Sequence, residues 1–192
     1  MKTSHQQKKI ILALGNPGEE FENTYHNAGM MALPAIVRKL TDEDISTLEW
    51  KKYKGVFEYA EGKSQITNHK SQIIFIKPLT YMNESGIAAA EALKKFGATA
   101  ENLIVIHDDS DITLGDYKIS FDRSSGGHKG AQSIIDHLKT QTFTRVRIGV
   151  RPSKESKRQK AGDFVLKKIT ASGRKIWEKI FEESATALHK NL

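Results

Sequence analysis

Short apolar runs punctuate the chain. KIILAL (9–14), IIFIK (73–77), NLIVIH (102–107), YKISF (117–121) and RVRIGV (145–150) are bounded by Gly, Pro or Asp, and most are rich in Ile and Val, the pattern of β-strands. Between them, apolar positions recur with helical period at about 27–40, 84–96, 129–139 and 172–190. Pro34 falls inside the first of these helices, where a kink is expected. Residues 54–72 read as an added hairpin, with turns around Glu61-Gly62 and Asn68-His69. The alternation predicts an α/β fold, a three-layer sandwich whose central sheet is mixed, mostly parallel and flanked by helices. No internal repeat, low-complexity tract or linker divides residues 1–192, so one domain is expected.

In open α/β sheets ligands collect at the carboxyl ends of the strands. The segments that leave these strands are rich in amides, carboxylates and imidazoles: 15-GNPGEEFENTYHN-27, 77-KPLTYMNESG-86, 107-HDDSDITLG-115 and 122-DRSSGGHKG-130. One site built from four loops is the simplest account. Each loop also has a purely architectural reading. Asn16-Pro17 between two glycines could serve only a tight turn, while His26 and Asn83 each precede a helix and could act as caps. The acidic run 108-DDSD-111 fails as a calcium loop, because Leu114 stands where glycine is required and no Glu closes it. The segment 124-SSGGHKG-130 could form an anion-binding nest, but it lacks phosphate-loop spacing. No G-x-S-x-G elbow is present, which argues against a serine hydrolase.

Composition narrows the chemistry further. With 38% hydrophobic and 28% charged residues over 192 positions, the chain has the makeup of a globular protein. It contains no cysteine, which removes disulfides, thiol nucleophiles and thiolate-bound zinc. No apolar stretch is long enough to span a membrane, and no signal core follows the lysines of MKTSHQQKK, so a cytoplasmic location is expected. A net charge of +7 favours polyanionic partners. Much of the excess lies in 151-RPSKESKRQK-160, which reads either as a solvated loop or as a phosphate-facing one.

Taken together, 14-LGNPGEEFENTYHNAG-29, 77-KPLTYMNESGIA-88, 105-VIHDDSDITLG-115, 126-GGHKG-130, 143-FTRVRIGVRP-152 and 163-DFVLKK-168 resemble the bacterial peptidyl-tRNA hydrolase family, in family order from end to end. The resemblance implies a monomeric esterase that recycles tRNA and uses no cofactor or metal. It further implies that His26 is a general base for water and that Asp108 is its partner. An imidazole with an ordinary pKa of ~6.5 suits that task at neutral pH. Asn16 and Asn83 correspond to amides that position the peptide and reject free aminoacyl-tRNA. Phe21 and Tyr81 match positions that contact the RNA 3′ end, and Lys118 and Arg147 match cations near acceptor-stem phosphates. The chain departs from the family at Phe21 (commonly Tyr), Tyr25 (Arg), Ser120 (a second cation) and Lys129 (Asn). Lys129 is expected to contact substrate RNA rather than to orient water, because an ammonium only donates. A competing reading, a non-catalytic RNA-binding protein on the same fold, leaves His26 and Asp108 without a task.

Overall fold

The computed structural model describes residues 8–63, 72–152, 162 and 164–192. Its strands are β1 (Lys8–Ala13), β2 (Lys51–Tyr53), β3 (Phe57–Lys63), β4 (Gln72–Pro78), β5 (Leu103–Thr113), β6 (Tyr117–Phe121) and β7 (Thr144–Arg151). Its helices are α1 (Ala28–Thr41), α2 (Ser85–Phe96), α3 (Lys129–Leu138) and α4 (Ala171–Lys190). The strands form one sheet in the order β2-β3-β4-β1-β5-β7-β6. The four central strands pair in parallel, while β2–β3, β3–β4 and β6–β7 pair antiparallel. Five of the seven strands therefore run in one direction, with β3 and β6 opposed.

Period-2 alternation along β1 divides the core. Ile11 and Ala13 pack with α1 and α4, whereas Ile10 and Leu12 pack with α2 and α3. All four residues are fully buried, as both faces of a parallel sheet require. Among the described residues no helix is long and apolar enough to cross a membrane.

Three expectations change in detail. The tight turn of the hairpin lies at Lys54 and Gly55, whose φ values of 51° and 69° suit the twist of paired strands. Glu61 and Gly62 instead lie within β3, opposite Ile74 and Ile73. Gly62 is small because a side-chain carbon there would sit 2.5 Å from Thr41 Cγ2. Asn68-His69 lies outside the described residues, as does 153–160 of the basic run. Pro34 is accommodated in α1, which continues to Thr41. Finally, β5 does not end at His107 but continues through the acidic run to Thr113, with its register to β7 shifting between Asp109 and Thr113.

Candidate active site

The chain crosses from one side of β1 to the other between β4 and β5, so the carboxyl ends of β1, β4 and β5 open on a common crevice. A pocket of about 540 Å³ occupies it, walled by Asn16, Phe21 and His26 from the first loop, Tyr81 and Asn83 from the second, Asp108 from β5 and Lys129 from α3. Gly29 allows the approach of α1 that this requires. A side-chain carbon there would lie 2.2 Å from the Ile106 carbonyl oxygen and 2.6 Å from that of Leu14.

His26 sits in a single 3-10 turn before α1, and its side chain caps nothing. Its Nδ1–H donates to Asp108 Oδ1 at 2.8 Å, which leaves Nε2 as the lone-pair nitrogen. Asp108 is 2% exposed. Burial pushes its carboxyl upward, but the electrostatic attraction and hydrogen bonds of His128 and His26 outweigh that effect and hold it well below the usual carboxylate range. The acid is thus ionised and acceptor-only, which settles the direction of the His26 bond.

His128, which the sequence reading left unassigned, completes the group. Its Nδ1 accepts the Ala131 N–H at 3.1 Å, making it the N-cap of α3, so its proton must reside on Nε2. That Nε2–H donates to Asp108 Oδ1 at 2.9 Å. His26, Asp108 and His128 bring potential ligand atoms within 4.8 Å of one another, a spacing a transition metal could use. The hydrogen bonds give that space to protons, since His128 cannot present an Nε2 lone pair while its Nδ1 caps the helix.

The loop that carries His26 is fixed from two sides. Asn27 Oδ1 accepts the Asn16 N–H, and its Nδ2 donates to the Asn16 carbonyl. From the far end of the chain, the Val165 carbonyl accepts the His26 N–H at 2.8 Å and the Lys167 carbonyl accepts that of Tyr25. Asn16 Oδ1 accepts the Met82 N–H at 2.8 Å, which fixes the orientation of the amide and leaves its Nδ2–H groups as donors for a ligand. Asn83 is exposed and makes no cap, because α2 begins later, at Ser85, after Glu84. Phe21 and Tyr81 meet edge to face at 6.3 Å, with Tyr81 53% exposed.

The two expected phosphate contacts differ. Lys118 is exposed on edge strand β6. Arg147, its cross-strand partner, is buried, and its Nε donates to Asp109 Oδ2 at 2.7 Å. Arg147 is therefore no open phosphate contact, because its charge is already paired inside the protein. Neither residue lines the pocket.

An imidazole hydrogen-bonded to a buried carboxylate at a pocket beside amide donors, in a chain with no cysteine, defines a hydrolase-type site. The family pattern described as peptidyl-tRNA hydrolase matches residues 10–192, and the chain belongs to that family. It is 34% identical over 183 residues to the peptidyl-tRNA hydrolase of Aquifex aeolicus, covering 94% of this chain and 88% of that one. Identity to the Mycoplasmopsis pulmonis peptidyl-tRNA hydrolase is 36% over 181 residues, with the same coverages. The crystal structure of peptidyl-tRNA hydrolase from Acinetobacter baumannii shares the fold, with a TM-score of 0.78 at 24% identity over 94% of this chain and 86% of that one.

Proposed function

We propose that this protein hydrolyses the ester joining peptide to tRNA, with His26 as the general base. The observation that carries this reading is the 2.8 Å His26–Asp108 bond at the wall of the pocket. His26 Nε2 takes a proton from water as the water oxygen attacks the ester carbonyl carbon. Asp108 stabilises the imidazolium that forms. As the tetrahedral intermediate collapses, the carbonyl carbon–ribose oxygen bond breaks and the imidazolium returns its proton to the ribose oxygen. Peptide and free tRNA leave. Asn16, its amide oriented by Met82, directs Nδ2–H donors that suit a peptide carbonyl and would face unfavourably the ammonium of a free aminoacyl-tRNA. Phe21 and Tyr81 offer faces on which a 3′-terminal base can stack. The test is release of tRNA from an N-blocked aminoacyl-tRNA under single-turnover conditions. An RNA-binding protein without the activity would retain the tRNA with its ester intact.

Binding should weaken with salt, each neutralised phosphate adding about 0.7–0.9 to the slope of log affinity against log salt. Lys118→Ala should flatten that slope by about one such increment. Arg147→Ala should instead lower stability by ~3 kcal/mol, because it strands Asp109 as a buried unpaired charge. Salt titrations of affinity and thermal melts of both variants check this pair of outcomes.

Lys129 occupies the first position of α3, where the helix dipole disfavours an ammonium, and it is exposed at the pocket wall. Its stem can carry the charge outward to substrate phosphate. Lys129→Ala is expected to weaken tRNA affinity severalfold while sparing turnover, and Lys129→Asn to support turnover at least equal to that of the parent protein. Intact affinity with lost turnover in Lys129→Ala would place the lysine in the chemical step instead.

A further inference from the structure

His107 is fully buried beside the site, yet no step described above uses it. Its Nδ1–H donates to the Asp108 carbonyl oxygen at 2.6 Å. A carbonyl can only accept, so Nε2 is left as a bare lone pair, and it has no hydrogen-bond partner among the described residues. A buried unsatisfied acceptor is destabilising, a cost that a leucine of similar volume would avoid. Selection for stability alone gives no reason to keep an imidazole here.

Its surroundings supply one. The His107 ring lies 4.5 Å from that of His128, and the His128 ring lies 5.0 Å from that of His26. The three imidazoles thus form a file along Asp108. The peptide that His107 grips lies at the last regular stretch of β5 before its register to β7 shifts. Asp108 is still in register there, opposite Ile148, but the ladder fixes only its backbone and leaves the direction of the carboxylate to side-chain contacts. On the opposite side of that stretch, Arg147 and the Asp111 N–H hold Asp109.

We propose that His107 is a positioning residue: it pins the Asp108 peptide and buttresses the His128 ring, so that both imidazole N–H groups converge on one carboxylate oxygen. This role rests on the hydrolytic reading of the site. It also requires His107 to stay uncharged. Burial, reinforced by the electrostatic influence of His128 and Arg145, pushes its pKa well below the ordinary imidazole value, with Asp108 the opposing influence. The single negative charge of Asp108 therefore remains available for the imidazolium that His26 becomes during turnover.

The test compares His107→Leu, which removes both the N–H and the unsatisfied nitrogen, with His107→Asn, which keeps a donor near the Nδ1 position. His107→Leu is expected to melt at or above the wild-type temperature. Its kcat should fall between about tenfold and 10²-fold, the scale of a misplaced catalytic group, with KM little changed. Nitrogen NMR of the ring of His128 should show its Nε2–H tautomer giving way to a mixture. His107→Asn is expected to recover most of kcat and the single tautomer. A His107→Leu protein with kcat within twofold of wild type and an unchanged His128 tautomer overturns the proposal. So does a loss of kcat matched by an equal loss of folded protein. If His107→Leu does not fold, His107→Phe takes its place with the same criteria. A wild-type protein that failed to release tRNA would instead count against the hydrolytic function itself.

Discussion

His26→Ala should lower the single-turnover rate of tRNA release by about 10²-fold to 10⁴-fold, the range of general-base contributions, while tRNA affinity stays near wild type. The separation follows from the division of labour in the pocket. The substitution removes the nitrogen facing water but leaves the Asn16 amide, the Phe21–Tyr81 pair and the exposed Lys118 in place. It also leaves Asp108 with the N–H of His128, so the buried carboxylate is not stranded and the fold should hold. Turnover within a few fold of wild type would remove His26 from the mechanism.

Asp108→Asn should be similarly severe, with kcat down by about 10²-fold to 10⁴-fold. One carboxylate oxygen accepts from both histidines. An amide in its place has two orientations, and each is harmful. With its oxygen toward the rings both bonds persist, but the negative charge that stabilises the imidazolium is gone. With its NH₂ toward the rings, His26 must move its proton to Nε2 and can no longer accept one there. Asp108 also makes acid stability informative. Its carboxyl lies below the usual range when folded and titrates near 3.8 when exposed, so its contribution is fully present above that value and is lost as pH falls below it. Any stability gap between wild type and Asp108→Asn should accordingly narrow below pH 3.8, as thermal melts across the acid range would show. A gap independent of pH would mean that the carboxylate is not held ionised by its partners.

How far the sequence reveals these features depends on the kind of physics behind each. Strand periodicity located β1, β4 and β7 within a residue or two, because burial on both faces leaves little choice of residue. The polar loops after β1 and β4 were legible as site-forming, and their residues do converge on one pocket. Asp108 was legible as a site residue but not as part of a strand, since a run of aspartates looks like a loop until the partner strand that pairs with it is known. His128 was hidden by its second task. A histidine after two glycines and before an amphipathic helix reads as cap or nest, and only the fold shows that its other nitrogen reaches Asp108. Arg147 illustrates the opposite failure. Nothing in RVRIGV distinguishes an arginine that faces solvent from one that meets a buried aspartate 38 positions earlier.

The clamp between the base-bearing loop and residues 165–167 has a consequence for the birth of the protein. The chain is synthesised from its N-terminus, so His26 leaves the ribosome long before Val165, whose carbonyl receives its N–H. Ile169 must follow too, since its N–H closes on the Asn23 carbonyl. Until those residues emerge, β1 and the loop after it can form only part of their final contacts, and the pocket lacks the Val165 wall. During that interval the growing chain is itself a peptide esterified to tRNA, the very bond that its finished form is built to cut. The pocket is therefore completed only after most of the chain has been made.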